Sequence, residues 1–421
     1  MKGEFAAETE RLVTELCELA GFSDAAAVPE GDGVAVTRMV FSSMDLKARE
    51  YVEGLARAAG MSVRTDAVGN TFFRWEGSEP RLPAVATGSH IDAIPNAGMY
   101  DGTVGVLGGI AAVRALKASG FEPRRAIEVV QFTSEEPTRY GIGCLGSRMM
   151  SGTLKAADAA KLRDKDGLGL EEVRTLAGFG GELGSVEVKR GSYAGFVELH
   201  IEQGPELERA NIPLGIVTAI AAPASLRITI TGEGGHAGAM LMPERHDALV
   251  AAAEMIQAVE QCALGTGAVD TVATVGMCEV FPGAVNSVPS RVGLSLDVRD
   301  TDLARRDAVL RQIETACDDV AARRGVTIER EWVNADAPAA CDVGLVKIIE
   351  AACAAEGVAV KRMVSRAYHD ALFMARLGPM AMIFVPCRGG VSHRPDEFAK
   401  GEDIGRGVTV LARVLGELSL A

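Results

Sequence analysis

Aromatic residues make up 5% of the 421-residue chain, and only two are tryptophan. Long apolar runs are missing: none reaches the ~18 residues that would suggest a membrane span. Positive charge is also in deficit, with 43 Lys and Arg against 57 Asp and Glu and a formal net charge of −14. That balance argues against nucleic acid or an anionic membrane as partner, although a few local cations can still bind a small anion. The eight cysteines stand singly without a C-x-x-C pair, which excludes zinc-finger and thioredoxin-like sites and suits buried free thiols in a reducing compartment. Residues 1–20 have no basic segment and no continuous apolar core, so they do not form a signal peptide. They read instead as an acidic helix with Phe5, Leu12, Val13, Leu16 and Leu19 on its apolar face. Soluble, cytoplasmic protein is the expectation.

What is present is glycine, 48 of them, set among Ala, Val and Leu. The length exceeds what one core usually serves, so two domains are expected. A helix at 45–59, with Asp45 as N-cap and Gly60 as stop, opens an α/β pattern. Strands follow at 61–65, 70–75, 83–88, 126–133, 194–201 and 213–220, with a small-residue helix at 104–118. Residues 220–334 read differently. Strands at 225–231, 271–277, 291–298 and 326–332 alternate with helices at 246–264 and 302–323, which is the β-α-β-β-α-β order of a ferredoxin-like unit. From 335 to 421 the α/β pattern resumes, with helices at 342–356, 369–377 and 402–419 and a strand at 380–385. The predicted architecture is an α/β, mixed-sheet catalytic domain (1–219 and 335–421) interrupted by a smaller α+β domain.

Histidine is scarce as well, with six residues, five of them in polar, Gly-rich or acidic contexts near strand ends. His90 follows the strand at 83–88, and Asp92 two residues later suits a carboxylate orienting a metal-bound imidazole. Asp101 precedes a Gly-rich turn into a helix. Glu135 and Glu136 follow another strand, His200 closes the strand at 194–201, and His393 comes after a Gly-Gly pair. Imidazole and carboxylate without thiolate suit Zn²⁺, Mn²⁺ or Co²⁺. Two ions held together need a bridging carboxylate and about four further ligands, and a water shared by both becomes a nucleophile near neutral pH. This inventory leaves one glutamate over to act as base. A lone histidine or Glu-Glu pair carries little weight, but five such pieces at strand ends carry much more.

The segments GSHIDAIPNAGMYDG, FTSEEPTRYGIGCLGS, ELHIEQGP, GGHAG, NSVP, LDVRD and VSH, spread in order over about residues 85–400, resemble the M20 metallopeptidase superfamily. Within it they resemble the hydantoinase/carbamoylase amidases, which include N-carbamoyl-L-amino acid hydrolases and allantoate amidohydrolases. Three stretches depart from the common pattern of those amidases: Gly235 to Pro243, Ser134 to Tyr140 and Arg366 to Arg376. All three resemble the plant-type ureidoglycolate amidohydrolase branch, as does the stretch Met382 to Cys387. The resemblance implies a metal-dependent hydrolase of linear C–N amide bonds. His90 and His200 would hold one ion, Glu136 and His393 the other, and Asp101 would bridge them. Mn²⁺ or Zn²⁺ is implied, with Co²⁺ or Ni²⁺ as in vitro substitutes. Glu135 would be the base and His236 the oxyanion donor. Arg299 and Asn286 would bind a substrate carboxylate, with Gln203, Tyr368 and His369 completing the pocket. The smaller domain would act as a lid and form a homodimer in which lid residues serve the neighbouring subunit.

For Arg299 the residues alone equally suit an ion pair with Asp297, Asp300 or Asp302, and for Tyr368 a core position. His246 has no partner motif and reads as structural. A metallo-exopeptidase would share the metal core, but His200 occupies a ligand position where a carboxylate is expected in peptidases. A non-catalytic binding protein would be expected to lack Glu135 or a ligand, and none is missing.

Overall fold

The computed structural model describes residues 2–26 and 33–421, with side chains from Glu8 onward, so Met1 and the Phe5 side chain lie outside the described residues. The chain divides into two compact units. The first comprises residues 1–218, 341–363 and 369–421; the second comprises 219–340 and the short segment 364–368. Tyr368 therefore falls with the second unit. No helix among the described residues is long and apolar enough to cross a membrane.

The first unit is built on a mixed sheet. Strand Ala84–His90 lies between Ile127–Phe132 and Tyr193–Ile201, parallel to both, and Met380–Val385 adds a fourth parallel strand beside Tyr193–Ile201. Antiparallel strands Thr71–Trp75 and Ser62–Thr65 extend one side, and Leu214–Ile220 extends the other. All residues of Ala84–His90, Ile127–Phe132 and Met380–Val385 are buried, as expected for central strands covered on both faces. Four parallel strands end at the same edge of the sheet, where ligand sites of such sheets form.

Helix Thr103–Ala118 is buried along nearly its whole length, because its glycines and alanines let backbones approach closely. The N-terminal helix Lys2–Ala20 buries Leu12, Leu16 and Leu19, each worth about 1.5–3 kcal/mol. Helix Ser43–Ala58 starts one turn earlier than its sequence suggests. Ser42 is the N-cap and accepts the Asp45 amide, while the Asp45 carboxylate accepts the Phe41 amide. Asp45 is thus the acidic half of a capping pair rather than the cap. The helix expected at 369–377 shrinks to Ala371–Met374, leaving His369 outside it. The cysteines are all free, as expected, but Cys17 and Cys278 are exposed.

The second unit is a four-stranded antiparallel sheet in the order Val272–Phe281, Arg291–Asp300, Ala222–Thr231, Thr327–Ala335. With helices Ala248–Leu264 and Leu303–Arg324 this is the ferredoxin-like arrangement. Its core is aliphatic, with Ile228, Ile230, Leu294, Leu296, Met255 and Ile313 among the buried residues. A separate two-stranded ribbon pairs Gly235–His236 with Ser287–Val288.

Candidate metal centre and active site

The sheet gathers residues that are far apart in sequence. His90 lies opposite Phe132, and Phe384 opposite His200, so the strand ends carrying His90, Glu135 and His200 open on one side. The chain turns sharply after Phe132, with Ser134 at φ 55°, and places Glu135 and Glu136 at that edge. Gln203 and His393 also take positive φ, 54° and 60°. Strained non-glycine positions of this kind cluster where side-chain aim matters more than local comfort.

Asp101 is the meeting point. Its Oδ1 lies 3.2 Å from His200 Nε2 and 3.8 Å from His90 Nε2. Its Oδ2 lies 3.0 Å from His393 Nε2, which is itself 3.4 Å from Glu136 Oε1. Two groups of potential ligands result, His90-Asp101-His200 and Asp101-Glu136-His393, with the ligand atoms of each group within 4.8 Å of one another. Both buried imidazoles are set for coordination through Nε2, because Nδ1 of His90 donates to the Asp92 carbonyl (3.0 Å) and Nδ1 of His200 to the Ile201 carbonyl (2.9 Å). Gly102 fits tightly between them: a Cβ there would fall 2.4 Å from His90 Nε2, and its φ of +68° is glycine territory.

Asp92 does more than the sequence suggests. Its backbone oxygen accepts His90 Nδ1 at 3.0 Å, with its carboxylate 3.6 Å from the same nitrogen; the carboxylate also accepts the amides of Glu135 (3.2 Å) and Glu136 (3.1 Å). One residue therefore fixes both the ligand ring and the turn bearing the two glutamates. The loop is tied from behind by Arg38, which is buried and donates to the Ile91 carbonyl at 2.7 Å.

Carboxylates crowd this region: Asp92, Asp101, Glu135, Glu136, Glu198, Asp370 and Glu397 are all buried. Burial, with Asp101 nearby, pushes Glu136 up to about 8, and burial with Glu136, Asp370 and Asp101 pushes Glu135 well above the usual range. Burial also opposes ionisation of Asp101, but hydrogen bonds from His200 and His393 override it and hold its carboxyl well below normal. Burial would lower His200, yet Asp101 lifts it to about 9; the Asp101 hydrogen bond lifts exposed His393 to about 9 as well. Burial takes His90 down to about 4. Buried negative charge of this density, beside imidazoles presenting Nε2, fits divalent cations held by nitrogen and oxygen.

Glu135 completes the group. Its Oε2 is 3.7 Å from His90 Nε2, and its Oε1 accepts the Cys144 thiol at 3.3 Å. His369 is buried with its ring centroid 4.5 Å from that of His200, in a cluster that includes Glu198. Gln203 donates its amide nitrogen to Asp101 Oδ2 (2.9 Å) and Ser392 Oγ (3.1 Å). Its Oε1 is buried without a hydrogen-bond partner among the described residues.

The remaining expected site residues lie on the second unit. His236 and Asn286 are neighbours on the ribbon: His236 pairs with Ser287, the Asn286 carbonyl accepts the Ala237 amide, and both side chains are exposed. Arg299 stands on the four-stranded sheet with its fork on Asp297 (2.7 and 3.2 Å) and a further bond to the Arg366 carbonyl. Asp300 is engaged instead by Arg305 and Thr271. The Tyr368 hydroxyl donates to Asp336. His246 contacts the Arg324 carbonyl. Sequence reasoning passed over Glu198, Asp370, Glu397, Ser392 and Cys144. Only Glu198 carried a signal, since it shares a strand face with His200.

The sequence profile of peptidase family M20/M25/M40 matches residues 86–417. A ureidoglycolate hydrolase of Arabidopsis thaliana is 50% identical over 97% of this chain and 86% of its own length. An N-carbamoyl-L-amino-acid amidohydrolase of a Pseudomonas species is 39% identical over 89% and 91%. Among solved structures, AtUAH in complex with glyoxylate superposes with a TM-score of 0.89 at 48% identity, covering 98% of both chains. With its ligand pattern, fold and profile in agreement, the chain belongs to peptidase family M20/M25/M40.

Proposed function

We propose that the chain hydrolyses the terminal C–N bond of a small ureido acid, with ureidoglycolate as substrate, and that it uses two divalent ions. The observation that carries this is the sharing of Asp101 between two ligand groups, with Glu135 beside them and belonging to neither. His90, His200 and Asp101 Oδ1 would hold one ion, and Glu136, His393 and Asp101 Oδ2 the other, as Mn²⁺ or Zn²⁺. Such a pair, when bound, polarises a carbonyl and acidifies a shared water.

Glu135 takes a proton from the attacking water and returns it to the departing nitrogen. Its burial among like charges supports this role, since it keeps the carboxylate basic. Attack on the terminal amide releases ammonia and leaves a carbamate; loss of carbon dioxide leaves an α-hydroxy amine, which collapses to glyoxylate and a second ammonia. Gln203 has its nitrogen engaged on Asp101, so its free Oε1 accepts from the substrate. We assign His369 and Tyr368 to substrate binding as well. His236 donates to the developing oxyanion, and Asn286 and Arg299 hold the substrate carboxylate, the planar fork suiting that group.

We assign these last three residues to the site of a second copy, in a homodimer formed through the ferredoxin-like unit acting as a lid. Strand Val272–Phe281 supports this, being an edge strand with Met277 and Phe281 exposed. Eight free cysteines suit a reducing cytoplasm. The relatives named for ureidoglycolate share more residues with this chain than those named for carbamoyl amino acids or allantoate do, which ranks the substrates. Ammonia release from ureidoglycolate, allantoate and N-carbamoyl amino acids, with Mn²⁺ and Zn²⁺ compared, tests the reading. Ureidoglycolate should be preferred by kcat/KM; release only from another of these substrates would transfer the assignment to it.

A further inference from the structure

We propose that Glu397 is the positioning residue of the bridging carboxylate and sets the hold on the ion at the Oδ2 side of Asp101; this rests on the two-ion reading above. Glu397 is 3% exposed, and both its oxygens serve the same neighbour. Oε1 accepts the backbone amides of Tyr100 (2.9 Å) and of Asp101 itself (3.1 Å). Oε2 accepts the Ser392 hydroxyl at 2.8 Å, and that hydroxyl oxygen lies 3.3 Å from Asp101 Oδ2. Gln203 closes the circuit by donating to both Oδ2 and Ser392 Oγ. Glu397 thus grips the aspartate directly by its main chain, and it fixes the Ser392 oxygen, on which Gln203, the donor to Oδ2, also rests. Gly98 leaves room for this grip, since a Cβ there would come within 2.5 Å of Glu397 Oε1.

The arrangement is lopsided. Oδ1 faces the imidazoles of His200 and His90, whose rings are fixed independently by the Ile201 and Asp92 carbonyls. Oδ2 faces Ser392, which precedes His393 in the chain, so one link steadies both the outer oxygen and the turn that presents the exposed histidine. Loosening Glu397 therefore releases one ligand group and spares the other. A carboxylate that merely filled space would show no such preference.

The test is metal stoichiometry on the full-length protein, loaded with Mn²⁺, equilibrated against graded chelator and analysed by inductively coupled plasma mass spectrometry. Glu397→Ala should retain one ion where the parent retains two, with the second bound about 10–100-fold more weakly. Glu397→Gln still offers an oxygen to the two amides and should recover most of that loss. Ser392→Ala should weaken the same ion to a smaller degree. These two milder variants decide the matter if the alanine variant does not fold by circular dichroism. Two ions held at parental affinity in the Glu397 and Ser392 variants, or equal weakening of both ions, would overturn the proposal. Asp101→Ala run alongside separates the two levels: if it keeps both ions, the two-ion reading has failed; if it loses both while the Glu397 variants lose none, only the present inference has failed.

Discussion

The candidate site residues of the two units sit in different conditions, exposed His393 of the first apart. In the first, Asp101, Glu135, Glu136, His90 and His200 are buried. In the second, His236 and Asn286 are exposed on a narrow ribbon, and Arg299 is half-buried with its fork on Asp297. A buried charged cluster is rigid and costly to disturb, because a lost partner leaves an unpaired charge. An exposed or part-exposed group is cheap to move and suits recognition. The division implies that changes in the first unit act on metal and turnover, and changes in the second act on substrate affinity with metal content untouched.

Asp101→Ala should break this picture most severely. Both ligand groups lose a member, so metal analysis should find neither ion and turnover should fall to background; retention of two ions would refute the shared bridge. Glu135→Gln should lower kcat by roughly 10²–10⁴ while metals stay bound. A near-normal rate would mean that another group handles the proton.

Acidity offers a sharper probe of the same region. His200 and His393 are pushed up to about 9, so at neutral pH both carry protons that a metal must displace. Metal affinity should then rise with pH between about 6 and 9, by about tenfold or more per unit, and Mn²⁺ added to metal-free protein at pH 7 should release protons. An affinity flat across that range would show that the ligands are already deprotonated.

The second unit should answer differently. Arg299→Ala should raise KM with both ions retained, and lysine should restore only part of the affinity. If Arg299 serves the neighbouring subunit, mixing Glu135→Gln with Arg299→Ala should restore about a quarter of parental activity after random exchange, since half the dimers are mixed and each has one intact site. No recovery after exchange verified by mass spectrometry would place the arginine in its own subunit's site. The smallest effect belongs to Asp297→Asn. Removing a part-exposed competitor for the fork, worth about 0.2–1 kcal/mol, should lower KM by about 1.4- to fivefold. A rise in KM would mean that Asp297 aims the arginine rather than competing for it.

Much of this was legible in the sequence because strand-end histidines and carboxylates mark themselves by alternation and by the glycines that follow. The ferredoxin-like order could be read from strand and helix spacing alone, and the four-stranded sheet follows it. What escaped was everything carried by backbone atoms or by long-range pairing. The Asp92 carbonyl has no sequence signature, so only its carboxylate, 3.6 Å from His90 Nδ1, could be anticipated. Glu397 looks like one acid among 57 until the fold carries it to the amides of Tyr100 and Asp101. Asp45 reads as the cap from sequence, whereas Ser42 caps the helix, because both residue types cap well and only the geometry separates them. Nor does the sequence show that the Gln203 nitrogen is committed to Asp101, which leaves only its oxygen open.

The placing of strand Met380–Val385 beside Tyr193–Ile201 has a consequence for how the protein is made. The whole ferredoxin-like segment leaves the ribosome before that strand exists, so the central sheet stays one strand short throughout. His90, Asp101 and His200 have all been translated by then, while His393 has not. A nascent chain can thus assemble one ligand group long before the other.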